Sequence, residues 1–356
     1  MVSPMGLALQ SNIDEYTQEF DVQGIFDSID DETKRILEEI GITEISYNSV
    51  FSVEPQKVFD ALFNIVSDAL RKPIKFMLVA IGVLMITSTL TSFTDNGESV
   101  RIVGSGVLSL TIAVPVATVV TTAFAVLEAL LVFTTAFTGV FSVIVSTSGN
   151  VTMGISYAAL TVFSDTVFSG LLVNIAQPVV NVMCSVGFLS CFDVYNFTER
   201  ISSIIKKVYI FALSFVGTVF SGLVTLKGVL SDGVDTLSSR SIRFVIGQSL
   251  PIVGGAVSET YSTLVSSLGL IKNTVGAFGI ITVIVFVLPT LTELFMWLLS
   301  LEAVFSASQI FGVKNSLCML SVIKDALILL VSTIVILTTI FIVSVGVCIA
   351  VKGGAV

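Results

Sequence analysis

From Phe76 onward the chain is written in long charge-free apolar runs separated by short polar stretches, and the run lengths predict membrane-crossing helices. Residues 76–94 carry no charge. At about 1.5 Å per residue such a run suffices for a hydrocarbon core of roughly 30 Å. A short turn at 95–101 leads to the next run, 102–127, which contains Gly104, Gly106 and Pro115. Residues 129–164 are again uncharged but too long for one crossing, and the turn chemistry of Ser-Thr-Ser-Gly-Asn at 146–150 divides them. Further runs follow at 166–192, with Asn174, Gln177 and Pro178 near the middle, at 208–226, at 274–301 and at 325–351. The pattern predicts an all-α, polytopic transmembrane helix bundle of about seven spans, plus one region that is re-entrant or a broken helix.

Ahead of these runs the pattern changes. Residues 1–52 form an acidic head with spaced apolar positions, among them Ile13, Phe20, Ile25, Phe26, Ile29, Ile36, Leu37 and Ile40, which suits short amphipathic helices. Gly41 ends the last of them. The spacing fits a docking element and the shortness fits a solvated tail, and both readings stand. Met1–Gln10 lacks the basic start and the long apolar core of a secretory signal, so a longer precursor remains open. Residues 53–70 read as an amphipathic helix lying on the membrane surface, followed by the basic collar Arg71-Lys72-Pro73-Ile74-Lys75, so that 53–75 is a juxtamembrane unit and 76–356 the membrane domain. Within that domain 193–207 is an amphipathic connector, 227–243 a polar loop and 302–321 an interfacial segment.

Residues 244–279 break the greasy pattern. Pro251 cannot donate a backbone N–H and Gly254 and Gly255 lack side chains, so Pro-Ile-Val-Gly-Gly predicts a helix break with close backbone approach. Ser258 and Glu259 follow, then Lys272, Asn273 and Gly276 in Ile-Lys-Asn-Thr-Val-Gly, and Pro289 and Glu293 lie four apart on one face beyond it. An ionisable side chain at membrane depth is by default a pathway or relay candidate, and Glu259 and Glu293 each stand one turn from a Pro or Gly element. Glu128 and Asp165 read as span boundaries, and Lys272 as a snorkelling side chain.

Composition and charge narrow the classes. The 356 residues are 54% hydrophobic and 12% charged, with mean hydropathy +1.00, outside the range of soluble domains. Residues 1–70 hold 14 Asp or Glu against 3 Lys or Arg, while residues 71–356 hold 12 against 14. The acidity therefore belongs to the head, and no basic stripe suits a nucleic acid. There is no His and no Gly-x-x-x-x-Gly-Lys-Ser/Thr loop, which removes Ser–His nucleophile pairs, His-Glu-x-x-His metal sites and Walker-type nucleotide hydrolysis. Asp232 and Asp235 read as a solvated cluster in the polar loop. Cys184, Cys191, Cys318 and Cys348 sit in or beside apolar runs without metal-ligand spacing and read as packed thiols, so no catalytic residue, metal or cofactor is expected.

In order and spacing, Pro-Ile-Val-Gly-Gly-Ala-Val-Ser-Glu, Ile-Lys-Asn-Thr-Val-Gly-Ala-Phe-Gly and Pro289 resemble the most distinctive block of the stage III sporulation protein AE family of endospore-forming bacteria. The resemblance extends more weakly from about Ser146 to the C-terminus and into the acidic head. It implies a non-enzymatic, multi-pass subunit of a channel or transport complex joining mother cell and forespore, in the mother-cell membrane around the forespore. Its implied partners are the other stage III sporulation membrane proteins of that complex, the lipid bilayer and further copies of itself. Carried over by motif, Pro251, Gly254, Gly255, Ser258, Lys272, Asn273, Gly276 and Pro289 would shape a pore or pack partner spans. The alternative, from the residues alone, is an ion-coupled secondary transporter using Glu259 and Glu293. Orientation stays open: positive-inside reasoning puts the collar and head in the cytoplasm, whereas longer family members resemble preproteins with the head outside.

Overall fold

The computed structural model describes residues 22–95, 97–190, 197–249, 254–313 and 315–350. Three short helices form the head: α1 (Val22–Asp27), α2 (Asp31–Glu39) and α3 (Tyr47–Phe51). Asp30 caps α2 by accepting from the Thr33 N–H, and Ser46 caps α3 by accepting from Ser49 N–H. Long helices follow: α4 (Pro55–Ser92), α5 (Gly97–Thr147), α6 (Val151–Leu171), α7 (Gln177–Leu189), α8 (Phe197–Ser249), α9 (Gly254–Ile310) and α10 (Asn315–Ala350). A π-helical turn, Leu172–Ala176, joins α6 to α7 without a loop. Pro178 follows it directly, and the wider turn accommodates the proline's missing N–H and its ring.

Cross-contacts fix the helix directions. Gly104 against Thr87 and Gly97 against Thr91 make α4 and α5 an antiparallel hairpin. Gly154 against Ser146, and Thr138 bonded to Tyr157, make α5 and α6 another. The α8 and α10 rods run parallel, from Ser321–Glu199 through Tyr209–Thr333 and Gly217–Ile336 to Gly228–Val347. Gly276 meets Ile349 while Lys324 meets Glu302, so α9 runs against α10. The result is six rods, with α6 and α7 counted as one, alternating in direction: three up (α4, α6–α7, α9) and three down (α5, α8, α10).

An aromatic stack fills the middle. Phe133, Phe137 and Phe141 of α5 lie one turn apart with centroids 5.9 and 5.1 Å from each other in succession, and Phe286 of α9, Phe341 of α10 and Tyr157 of α6 close around them. Exposed hydroxyls of Thr89, Thr118, Thr218 and Thr339 donate to the carbonyl four residues earlier, which satisfies them where water is absent.

Several sequence expectations change. The runs at 102–127 and 129–147 are one helix, because Glu128 alone, with no Gly or Pro stop beside it, cannot end a helix. Among the described residues five helices are long and apolar enough to cross a membrane, and shorter apolar stretches at Val151–Ser164 and Asn174–Leu189 stand beside them. The juxtamembrane helix, collar and first run are also continuous, since Pro73 sits inside α4 and its carbonyl accepts from Ser300 Oγ at 2.9 Å. The connector from residue 197 on and the 227–243 segment are helical parts of α8. The segment 302–321 is two helix ends about a turn, where Gly312 takes φ +72° and lets the chain reverse. The head is docked, not solvated: Ile25, Ile36, Leu37 and Ile42 are buried, and Phe26 stacks on Phe278 of α9 at 5.6 Å.

Candidate functional site

The unusual 244–279 stretch falls on a helix junction. Helix α8 ends at Ser249 and α9 starts at Gly254, so the Pro-Gly segment separates two rods. Pro251 lies outside the described residues. Gly254, Gly255, Ser258 and Glu259 belong to the first turns of α9, and the side chains of the last two lie outside the description, as does that of Asp165 on α6.

The second half of the stretch sits in the bundle interior. Lys272 is 2% exposed, Thr274 and Gly276 are buried and Asn273 is half-buried. Gly276 faces Ile349 and Phe141: a Cβ there would come within 2.7 Å of the Ile349 side chain and 3.1 Å of the Phe141 ring. Gly279 faces Phe137, whose ring a Cβ would overlap. Two glycines thus form a groove on α9 into which the α5 phenylalanines fit. Between the two glycines, Phe278 receives Phe26 of the head, so this short piece of α9 touches α5, α10 and the head together. Asn273 Oδ1 is buried and has no hydrogen-bond donor among the described residues. Lys272 lies near Cys348 of α10 and is buried inside the protein rather than snorkelling to an interface.

Pro289 is half-buried inside α9, and Glu293, one turn further, faces Lys72 of the collar at 3.7 Å. The two candidate carboxylates are therefore in different settings: Glu259 near the start of α9, and Glu293 in an ion pair between α4 and α9. Among the described residues, Glu293 is brought to α4, while Lys272 and Gly276 are brought to α10, and Gly276 to α5 as well. The structure does not gather the sequence candidates into one pocket.

Two polar sites were misread or missed in the sequence. Asp235 is buried, and its carboxylate accepts from the backbone N–H groups of Thr152 and Met153, both at 3.0 Å, capping α6 from α8. The solvated-cluster reading of Asp232 and Asp235 is corrected for Asp235, whose partners are eighty residues away in sequence and invisible to local spacing. Asp325 is also buried, paired with Lys206 and accepting from Ser202 Oγ at 3.0 Å; Glu199, one turn before Ser202, accepts from Ser321. Glu199, Ser202, Lys206 and Tyr209 recur at helical spacing along α8, a signal present in the sequence but readable only once α10 is known to lie alongside. Cys184, Cys318 and Cys348 are buried, and Cys191 lies outside the described residues.

With the arrangement in view, comparison with known proteins gives one consistent result. The Stage III sporulation protein AE of Bacillus subtilis (strain 168) is 26% identical over 113 residues, which cover 32% of this chain and 28% of that relative. The matched region spans under a third of the relative's length, so its activity and partners do not transfer with it. No solved structure matches the chain. The family described as Stage III sporulation protein AE matches residues 34–352, from α2 of the head to the end of α10. A chain whose described residues are almost all helical, with five helices long and apolar enough to cross a membrane, thus belongs to the stage III sporulation protein AE family, and its role lies in sporulation.

Proposed function

We propose that this chain is a non-enzymatic membrane subunit of a channel or transport complex between mother cell and forespore, seated in the mother-cell membrane around the forespore. Its partners would be the other stage III sporulation membrane proteins of that complex and further copies of itself. The observation that carries the reading is the filled interior. Phe133, Phe137, Phe141, Phe286 and Phe341 occupy the space between α5, α9 and α10, where a single-chain conduit would need a lumen. Passage then has to lie between chains, and the chain acts as a wall element in an assembly. Within that assembly the segment around Pro251, Gly254, Gly255 and Ser258, at the α8–α9 junction, is the piece to shape a pore or seat a partner span.

The pairing of Glu293 with Lys72 favours this reading over an ion-coupled carrier, because a carboxylate engaged by a surface lysine is poorly placed to bind and release a coupling ion at depth. The test is a Gly254→Val/Gly255→Val double variant. Membrane insertion and protein level are expected to persist while heat-resistant spore formation falls to background; normal sporulation would overturn the proposal. Glu293→Gln separates the alternatives. A conduit subunit keeps supporting sporulation with the neutral side chain, whereas a coupled carrier using Glu293 fails.

A further inference from the structure

One face of the α4–α5 hairpin carries two apolar hollows in line, one helical turn apart, that together make a groove with positive charge at one end. Its lower part, a cavity of about 420 Å³, is bordered by Lys72, Lys75, Val79, Val114, Glu293 and Trp297. Its upper part, about 440 Å³, lies between the same two helices, with Val83, Ile86 and Leu90 on α4 and Val103 and Val107 on α5. On α4 the lining positions recur every three or four residues from 72 to 90, which keeps them on one helical face. At an α-helical rise that face is about 27 Å long. It exceeds the roughly 15 Å hydrocarbon depth of a single leaflet.

The lower end has groups that want a partner. Lys72 is largely exposed and shares Glu293 at 3.7 Å, while no ion pair holds the exposed Lys75 among the described residues. Trp297 is 1% exposed and stacks on Phe76 at 5.5 Å, yet its Nε1–H finds no acceptor among the described residues, an unusual state for a buried indole. Two ammonium groups against one carboxylate, at the end of a long apolar trough, match a molecule with an anionic head and a hydrocarbon tail.

We infer that this groove binds an anionic phospholipid, with Lys72 and Lys75 holding the phosphodiester and an acyl chain lying along α4 and α5 towards Leu90, past the buried Trp297. A partner's transmembrane helix in the same groove would compete with the lipid. A free phosphate would use only the lysine end.

The chain carries its own probe, because Trp297 is the one tryptophan in the sequence. The full chain is reconstituted in nanodiscs of a saturated zwitterionic lipid doped with acyl-brominated phosphatidylglycerol or, in parallel, acyl-brominated phosphatidylcholine, and Trp297 fluorescence is followed. Brominated phosphatidylglycerol is expected to quench at about fivefold lower mole fraction, the attraction of one lysine near a surface once Glu293 offsets the other. Lys72→Gln/Lys75→Gln is expected to abolish that preference with the emission maximum unchanged, and Glu293→Gln to enlarge it. Millimolar inorganic phosphate is expected to leave quenching unchanged; relief of quenching by phosphate would show a free-anion site and overturn the lipid assignment. Equal quenching by both lipids, a preference that survives loss of both lysines, or no quenching by either lipid because protein fills the groove would each overturn it too.

Discussion

At the scale of single residues, glycine acts in this protein mainly as an absence of bulk. Gly276 and Gly279 leave room for Ile349, Phe141 and Phe137, whereas a Cβ at Gly346 or Gly139 would meet nothing within 4 Å. The contrast sets a direction for each position. Gly279→Ala must displace an aromatic ring in a packed core and is expected to destabilise by about 1–3 kcal/mol. Gly346→Ala gains helix propensity without a clash and is expected to stabilise by up to about 1 kcal/mol. Thermal unfolding of the purified variants in one detergent checks both, and equal shifts would show that the glycine–phenylalanine fit contributes nothing. Asp235 offers a second test. Removing its carboxylate as Asp235→Ala orphans two amides at the start of α6 and is expected to cost about 1–2 kcal/mol, with faster hydrogen exchange at Thr152 and Met153 and little change elsewhere in the helix. The glycines of the motif were legible in the sequence as close-approach positions. Which side chains approach them was not, since Phe137 and Ile349 lie more than sixty residues away on either side.

Among the elements, the parallel α8–α10 pair shows how polar residues set the register of two apolar rods. Apolar helices slide past one another at little cost in lipid, because lipid tails replace apolar contacts well, so directional bonds carry the alignment. Lys206, Ser202 and Asp325 make one such lock and Tyr209 with Thr333 another. The lock is asymmetric. The Asp325 side chain is 5% exposed and that of Lys206 23%, so a stranded aspartate is worse off than a stranded lysine, whose long stem can turn its ammonium outward. Lys206→Ala is expected to cost about 3 kcal/mol, the penalty of an unpaired buried charge, and Asp325→Ala distinctly less. Chemical unfolding in micelles orders the two, and the reverse order would refute the argument. Sequence reading placed 227–243 in a loop because Lys227, Asp232, Asp235 and Arg240 dilute its apolar pattern. The segment is helical all the same, because Asp235 faces α6, Gly228 admits Val347 of α10, and no proline interrupts 197–249. The turn at 146–150 was read correctly, because its signal, Ser and Asn about a glycine at φ +85°, is local.

For the whole molecule, the helical class, the membrane character and the acidic head were all legible from composition and run length. The docking of the head was not, because Phe26 on Phe278 is a contact between two apolar positions that local periodicity treats alike. Six alternating rods make a prediction about sides. The turn at 93–95 and the turn at Gly312 belong to one end of the bundle, and the turn at Gly149 and the final residues of α10 to the other. Single cysteines placed at Thr94 and Gly312, in a background lacking the natural thiols, are expected to react with an impermeant reagent from the same face of the membrane, and cysteines at the exposed Thr147 and Ala350 from the opposite face. Labelling of Thr94 and Gly312 from different faces would contradict the alternation. The stacking of Phe26 on Phe278, two residues from where Gly276 receives Ile349, carries a practical corollary. Both termini of the described fold lie beside the same piece of α9, so two copies can be fused tail to head through a short tether that never crosses lipid, and such covalent pairs and triplets would allow the stoichiometry of any assembly to be counted directly.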